Sequence, residues 1–211
     1  EIPKQLAARL PASAVRANSP VCSLLREGSR VVGVSVDGEE HEADAVVMAT
    51  DAPTAARLAG APVPEGLVGQ VCVYYATDGH DAGKKIVLSA EDGGFVNNAV
   101  QISAVASSYA ARGRHLLSVV ALGGFDLPDD EIYRRGIEDV SRWYPQANFE
   151  PLAVYRVPYA QFAQPPGVHE KLPENRTGIP GLVLAGEYTQ DSSINGSMLS
   201  GEKAAGEVLY G

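Results

Sequence analysis

The residues best suited to chemistry stand near the end of the chain, in residues 179–211, IPGLVLAGEYTQDSSINGSMLSGEKAAGEVLYG. A short apolar strand, GLVLAG, runs into Gly186 and Glu187, and a polar loop then leads to a helix rich in small residues. Glycine at the end of a buried strand lets a ligand or a second segment come into contact with the backbone. Glu187 beside it is placed to accept hydrogen bonds from the hydroxyls of a bound polyol. Ser192, Ser193 and Asn195 are N-cap candidates, which puts the first open N–H groups of the helix near Ile194 to Ser197. Those donors, with the positive end of the helix dipole, suit an electron-rich oxygen on a ligand.

Within the helix, Gly196, Ser197, Ser200, Gly201, Ala204, Ala205 and Gly206 are small. Each glycine costs about 1 kcal/mol in a helix relative to alanine, so close packing is expected along this stretch. The plain alternative is a terminal helix packed on a sheet, its glycines kept for sterics alone. A phosphate-loop reading fails, because Glu202-Lys203 stands where that motif requires Lys followed by Ser or Thr. The N-x-S/T matches at Asn175 and Asn195 carry almost no weight.

The elements that position these residues must come from a chain of 211 residues, enough for one large domain or two modest ones with a real core. Apolar residues make up 45% and charged residues 20%, ordinary for a globular protein. A net charge of −9 argues against a nucleic-acid partner, which clustered Lys and Arg would hold. Cys22 and Cys72 read as small buried residues in a reducing, cytoplasmic setting rather than as a disulfide. His41, His80, His115 and His169 are scattered without metal-ligand spacing, so no metal site is expected. No apolar run reaches the roughly 18 to 20 residues that cross a bilayer, and no signal peptide is visible. The chain starts at Glu1 rather than Met, which reads as a processed product or an expressed piece.

Along the chain, EIPKQLAARL places Ile2, Leu6 and Leu10 on one helical face, and Pro11 stops it. Residues 14–52 read as a three-stranded meander that begins at Val21, Leu24 and Leu25, with a hairpin turn at Asp37-Gly38, and ends in the buried run DAVVMAT. DAPTAARLAG is a short helix, and APVPEGLVG marks a boundary near residues 60–66. QVCVYYAT, KKIVLSA, VNNAVQISAVAS and HLLSVVAL read as four strands, followed by the amphipathic helix LPDDEIYRRGIEDVSRWYP. PLAVYRVPYAQFAQPPG reads as a strand, a turn and an extended stretch. The expected class is α+β, mostly antiparallel, divided into 1–60 with 176–211 and a separate body over 61–175. Tyr74, Tyr75, Phe95 and Tyr109 could line a pocket there, although plain core packing is the favoured reading at each position taken singly.

GLVLAGEYTQDSSINGSMLSGEKAA resembles the carboxy-terminal FAD-binding motif of the flavin-containing amine oxidase, protoporphyrinogen oxidase and phytoene desaturase superfamily. SPVCSLLREGSRVVGVSVDGEEHEADAVVMATDA is similar to the family's three-strand unit, whose first Val meets the adenine end of FAD. YRVPYAQFAQPPG resembles a stretch nearer the flavin in desaturase-like members, and EIPKQLAARL the helix after the family's Gly-Gly-Met turn. The resemblance implies a two-domain FAD-linked fold in which residues 1–60 and 176–211 are part of the FAD domain and 61–175 bind substrate. It implies that Glu187, beside Gly186, bonds the ribityl hydroxyls. The amide near Ile194, in the mouth formed by Ser193, Ile194, Asn195 and Ser197, would face the flavin pyrimidine oxygen. It implies that Val21 holds adenine through its main chain and that Thr50 and Asp51 lie near the dinucleotide. The implied reaction moves a hydride from a hydrophobic or amine substrate to flavin N5, positioning and electrostatics dominating, with no catalytic side chain singled out.

Two features depart from the family pattern. The amino-terminal G-x-G-x-x-G that seats the pyrophosphate is absent from these residues. The chain therefore reads as the carboxy-terminal half of a larger protein, with the missing half as its partner. FAD, non-covalent in the parent, is expected to bind the isolated piece weakly or not at all, and self-association through AVVMA and LVLAG is expected. Tyr159-Ala160-Gln161 lacks the Pro that family members often carry next, which puts the shape of the substrate wall in question. Two alternatives stay open: a non-catalytic substrate-binding module, and a parent flavoprotein with redox-neutral isomerase activity. Lipid-like substrates would also be compatible with peripheral membrane association of the parent.

Overall fold

The computed structural model describes residues 2–78 and 83–211, so Glu1 and His80 lie outside the described residues. The chain divides into two compact units, one formed by Glu1–Pro64 with Gln164–Gly211 and the other by Glu65–Ala163. The first crossing falls inside the stretch read from sequence as a boundary, whereas the second comes at residues 163/164 instead of 175/176.

The first unit opens with helix α1 (Ile2–Ala7), shorter than the pattern of Ile2, Leu6 and Leu10 suggested and exposed along its length. Strands β1 (Val21–Glu27), β2 (Arg30–Val36) and β3 (Glu39–Glu42) form an antiparallel sheet in the order β1-β2-β3. Asp37 and Gly38 both take positive φ, 51° and 84°, which turns β2 into β3. Strand β4 (Val46–Met48) leaves this sheet. Helix α2 (Ala52–Ala59) follows at once, with Asp51 as its N-cap and Thr54 N–H donating to Asp51 Oδ1 at 2.8 Å. Asp51→Ala is expected to lower the urea midpoint by the equivalent of about 1 kcal/mol through loss of this cap. An unchanged midpoint would leave the cap without energetic weight.

The second unit is one five-stranded antiparallel sheet: β5 (Leu67–Asp78), β6 (Ile86–Leu88), β7 (Asn98–Gln101), β8 (His115–Ala121) and β9 (Asn148–Phe162). The strand order is β6-β7-β8-β5-β9. Between β7 and β8, Ile102–Val105 form the short helix α3, where the apolar run ISAV read as strand. Four apolar residues carry no period that separates helix from strand. Helix α4 (Asp129–Trp143) packs Ile132 and Val140 against Val71, Val73 and Tyr75 of β5 in the main core. Of the stretch read as strand, turn and extension, residues 151–162 belong to the single long strand β9, which tolerates Pro151 and Pro158 because it lies at the sheet edge.

The chain then returns to the first unit with β10 (Leu182–Leu184) and helix α5 (Ile194–Tyr210). Strand β10 pairs in parallel with β4, Leu182 opposite Val46 and Leu184 opposite Met48. Just ahead of β10, Gly181 has φ +78° and a Cβ there would lie 2.1 Å from Val31 O, so a side chain is excluded on both counts. Both cysteines are free; Cys22 is exposed, contrary to expectation, and Cys72 is half-buried. Among the described residues no helix is long and apolar enough to cross a membrane, and no cluster of His, Cys, Asp or Glu could hold a metal ion.

Candidate functional site

The parallel pair β4–β10 decides where the candidate residues meet. Parallel strands end at the same edge, and in sheets of this kind ligands sit outside those carboxyl ends. Thr50 and Asp51 follow β4 there, and Gly186 and Glu187 follow β10. Strand β10 is buried at every position, with Leu182, Val183 and Leu184 at 2%, 9% and 1% exposure. This corrects the expectation that LVLAG is an open docking surface, although Val47 of β4 does remain exposed.

Gly186 is extended, so its backbone conformation is one any residue can adopt; its need for glycine is steric. A Cβ at this position would meet Tyr188 Cε1 at 2.3 Å. Glu187 opens a short 3₁₀ turn over Glu187–Thr189 and is half-buried, with Oε2 fully buried. Under the bend, the Tyr188 hydroxyl is buried with no hydrogen-bond partner among the described residues. Burial pushes the Tyr188 phenol up to about 12, with the Asp51 and Glu187 carboxylates adding to the shift. Asp51, Glu187 and Tyr188 thus share one electrostatic neighbourhood, which no local pattern in the sequence announced.

Of the three cap candidates, Ser193 caps α5: its Oγ accepts from Gly196 N–H at 2.8 Å. Ser193 Oγ also donates to Asp191 Oδ1, fixing the loop ahead of the helix. Ser197 uses its N–H and its hydroxyl on the Ser193 carbonyl, at 3.0 and 3.1 Å. The Ile194 and Asn195 amides have no partner among the described residues, and both residues are exposed. Of the amides from Ile194 to Ser197, those of Gly196 and Ser197 are therefore taken up by Ser193, and those of Ile194 and Asn195 are not. Val21 stands apart from this group, as the first residue of β1 in the other sheet of the unit.

The small residues of α5 divide into two sets. Gly196 is sterically required, since its Cβ would lie 2.2 Å from Asp191 O, and Ser200 and Ala204 are fully buried. Gly201 and Gly206 have open space where a Cβ would be, which overturns close packing as their reason. Gly201 instead borders an apolar groove of about 720 Å³, with Ile2, Pro3, Leu6, Ile194, Ser197 and Met198.

Among the four aromatics read as pocket candidates, Tyr75 is fully buried in the core and Phe95 packs against it. Tyr109 is exposed, and Tyr74 lies on the opposite face of β5 from Tyr75, edge-on to Tyr155 at 5.8 Å. Core packing accounts for the first two. Sequence reading missed Asn175, dismissed as a chance motif match; it is 6% exposed, and its side-chain amide donates to Leu184 O at 2.8 Å. A polar residue in a loop has no periodic signal to reveal its burial.

The family model described as flavin containing amine oxidoreductase matches residues 1–209. An oxidoreductase from Methanosarcina mazei is similar at 18% identity and TM-score 0.67, over 88% of this chain and 49% of that one. A triple mutant of putrescine oxidase is similar at 16% identity and TM-score 0.67, over 98% and 51%. Reduced UDP-galactopyranose mutase is similar at 11% identity and TM-score 0.75, over 99% and 50%. The chain thus spans about half the length of these structures, and at such identities they speak to fold alone. No curated protein sequence matches it significantly.

Proposed function

The chain belongs to the flavin containing amine oxidoreductase family, and from that premise we propose that it forms one wall of an FAD site in a larger flavin-dependent oxidoreductase. In this reading Glu187 accepts hydrogen bonds from the ribityl hydroxyls, and the Ile194 and Asn195 amides meet the pyrimidine oxygen of the ring. Thr50 and Asp51 lie along the dinucleotide, and the Val21 main chain meets adenine. The second unit supplies the wall for a hydrophobic or amine substrate.

The observation that carries the reading is the pairing of a half-buried acidic bend with an open helix mouth on the same closing segment. The residues fit the group: Gly186 carries no side chain at the strand end, Glu187 beside it is a half-buried carboxylate, and the Ile194 and Asn195 amides have no partner among the described residues. Bound FAD would supply the redox chemistry by accepting a hydride at N5 from the substrate. The protein's part is binding and orientation. The helix dipole and amides favour negative charge on the ring, and Glu187 fixes the sugar chain.

The other half of the parent is the partner that would complete the site and supply the pyrophosphate cradle. The apolar groove beside α5, bordered by α1, suits coverage by that half, given that matched structures are about twice this length.

Glu187→Ala in the full-length protein is expected to weaken FAD by about thirtyfold, equivalent to roughly 2 kcal/mol for hydrogen bonds to a charged group. Titration of the apoprotein followed by flavin fluorescence reads this directly. Unaltered affinity removes Glu187 from the site, and a full-length wild type that takes up no FAD ends the proposal.

A further inference from the structure

We infer that Asn175, Thr189 and Ser200 are positioning residues that set the spacing between the Glu187 bend and the mouth of α5, an inference that rests on the flavin-site reading above. All three are buried polar residues, at 6%, 6% and 0% exposure. Ser200 Oγ accepts from Gly186 N–H at 2.9 Å and from Asn175 Nδ2 at 2.9 Å, and it meets Thr189 Oγ1 at 2.6 Å. A hydroxyl has two acceptor sites and one proton. With both acceptor sites used, Ser200 gives its proton to Thr189, and Thr189 Oγ1 donates in turn to Gly186 O at 3.1 Å. The circuit closes on itself: it leaves the Gly186 amide, passes through two side chains and returns to the Gly186 carbonyl.

Asn175 fastens this circuit to the strand, because its Nδ2 also reaches Leu184 O at 2.8 Å and Ser200 O at 3.1 Å. Gln190 Nε2 approaches Asn175 Oδ1 at 3.4 Å, and Lys203 Nζ donates to Gln190 Oε1 at 2.6 Å, so α5 is tied a second time. Gly186, the residue that precedes Glu187, is therefore held to a fixed point on α5. Ser200 lies six residues beyond Ile194, roughly 9 Å along the axis at 1.5 Å per residue. A ligand gripped by a carboxylate at one end and by helix amides at the other needs that separation held closely. Buried polar groups are satisfied in any protein, so satisfaction alone is not the argument. The point is that both backbone groups of Gly186 are bonded through these side chains.

The test uses the full-length protein containing this chain, stripped of flavin and titrated with FAD. Ser200→Ala and Thr189→Val are expected to weaken FAD about tenfold and to move the flavin midpoint potential to more negative values, because the displaced helix mouth no longer stabilises negative charge on the reduced ring. Thr189→Ser keeps the hydroxyl and is expected to retain wild-type affinity and potential. Val140→Ala, in the core of the other unit, serves as the control that lowers Tm and leaves the potential in place. If Ser200→Ala does not fold, the Thr189→Val and Thr189→Ser pair carries the comparison. Variants with wild-type affinity and potential overturn the inference whatever their Tm, as does a Thr189→Ser protein that behaves like Thr189→Val. A wild type that binds no FAD overturns the underlying reading, and this result is distinct from wild-type uptake with unaffected variants.

Discussion

Gly186→Val in the full-length protein is expected to abolish stable flavin uptake. The first carbon of the new side chain would stand 2.3 Å from Tyr188 Cε1 and 2.8 Å from Cδ1, well inside contact distance. Tyr188 is fully buried, so the ring has no open direction in which to yield. Gly186 cannot shift freely either, because its N–H is bonded to Ser200 and its carbonyl to Thr189. Relief therefore breaks the bonds that hold the bend and swings Glu187 away from the helix mouth. Overpacking combined with lost hydrogen bonds is worth about 3 kcal/mol or more, over a hundredfold in affinity. Flavin content of the purified protein, read from the visible absorption band, is the measurement. Wild-type content would show that the ring yields and that the bend is not held as described.

Tyr75→Ala is expected to produce the largest loss of stability, about 3 to 5 kcal/mol for an aromatic core residue cut to alanine. Tyr75 is 0% exposed and meets Tyr133 and Phe149 edge-on at 6.1 and 6.0 Å. Its hydroxyl donates to Tyr133 O at 3.1 Å, and burial raises its pKa strongly. Helix α4 is shaped around this side chain: a Cβ on Gly136 would lie 2.2 Å from the Tyr75 hydroxyl oxygen. Tyr75→Phe keeps the ring and forfeits about 1 kcal/mol for the hydrogen bond. Urea unfolding of both variants separates the two contributions. A Tyr75→Ala loss below that of Tyr75→Phe would contradict the packing described here.

The closing segment was the most legible part of the sequence, because its signals are local. Ser193 lies three residues before Gly196, the spacing at which a hydroxyl caps a helix, and the structure uses it that way. The alternation in QVCVYYAT likewise appears directly as β5, with inward Val71, Val73 and Tyr75. What failed was non-local. The continuous apolar run of DAVVMAT suits a strand in a parallel pair, but nothing in it names β10, far along the chain, as the partner for which β4 leaves the meander. The prolines of β9 suggested a break, and only its place at the sheet edge explains why it runs on through Phe162.

The site shows the same division between local and distant information. The Ser193 cap of α5 could be named from spacing, but the Asn175–Ser200–Thr189 circuit could not. Its members lie on a loop, a helix and a 3₁₀ turn, and each looks like an ordinary polar residue in the sequence. The glycines of α5 were read as one set because sequence gives composition without neighbours. Gly196 meets Asp191, whereas Gly201 and Gly206 meet nothing within 4 Å.

The pairing of β4 with β10 also bears on how the protein is made. The body formed by residues 65–163 is contiguous, so all of its strands are at hand once that stretch has left the ribosome. The discontinuous body cannot zip its parallel ladder until residues 182–184 emerge, long after residues 46–48. Such distant pairing is slow, because the intervening chain must first be closed into a loop. During synthesis the apolar edge of β4 thus waits for its mate, and the nascent chain is most in need of chaperone cover in that interval.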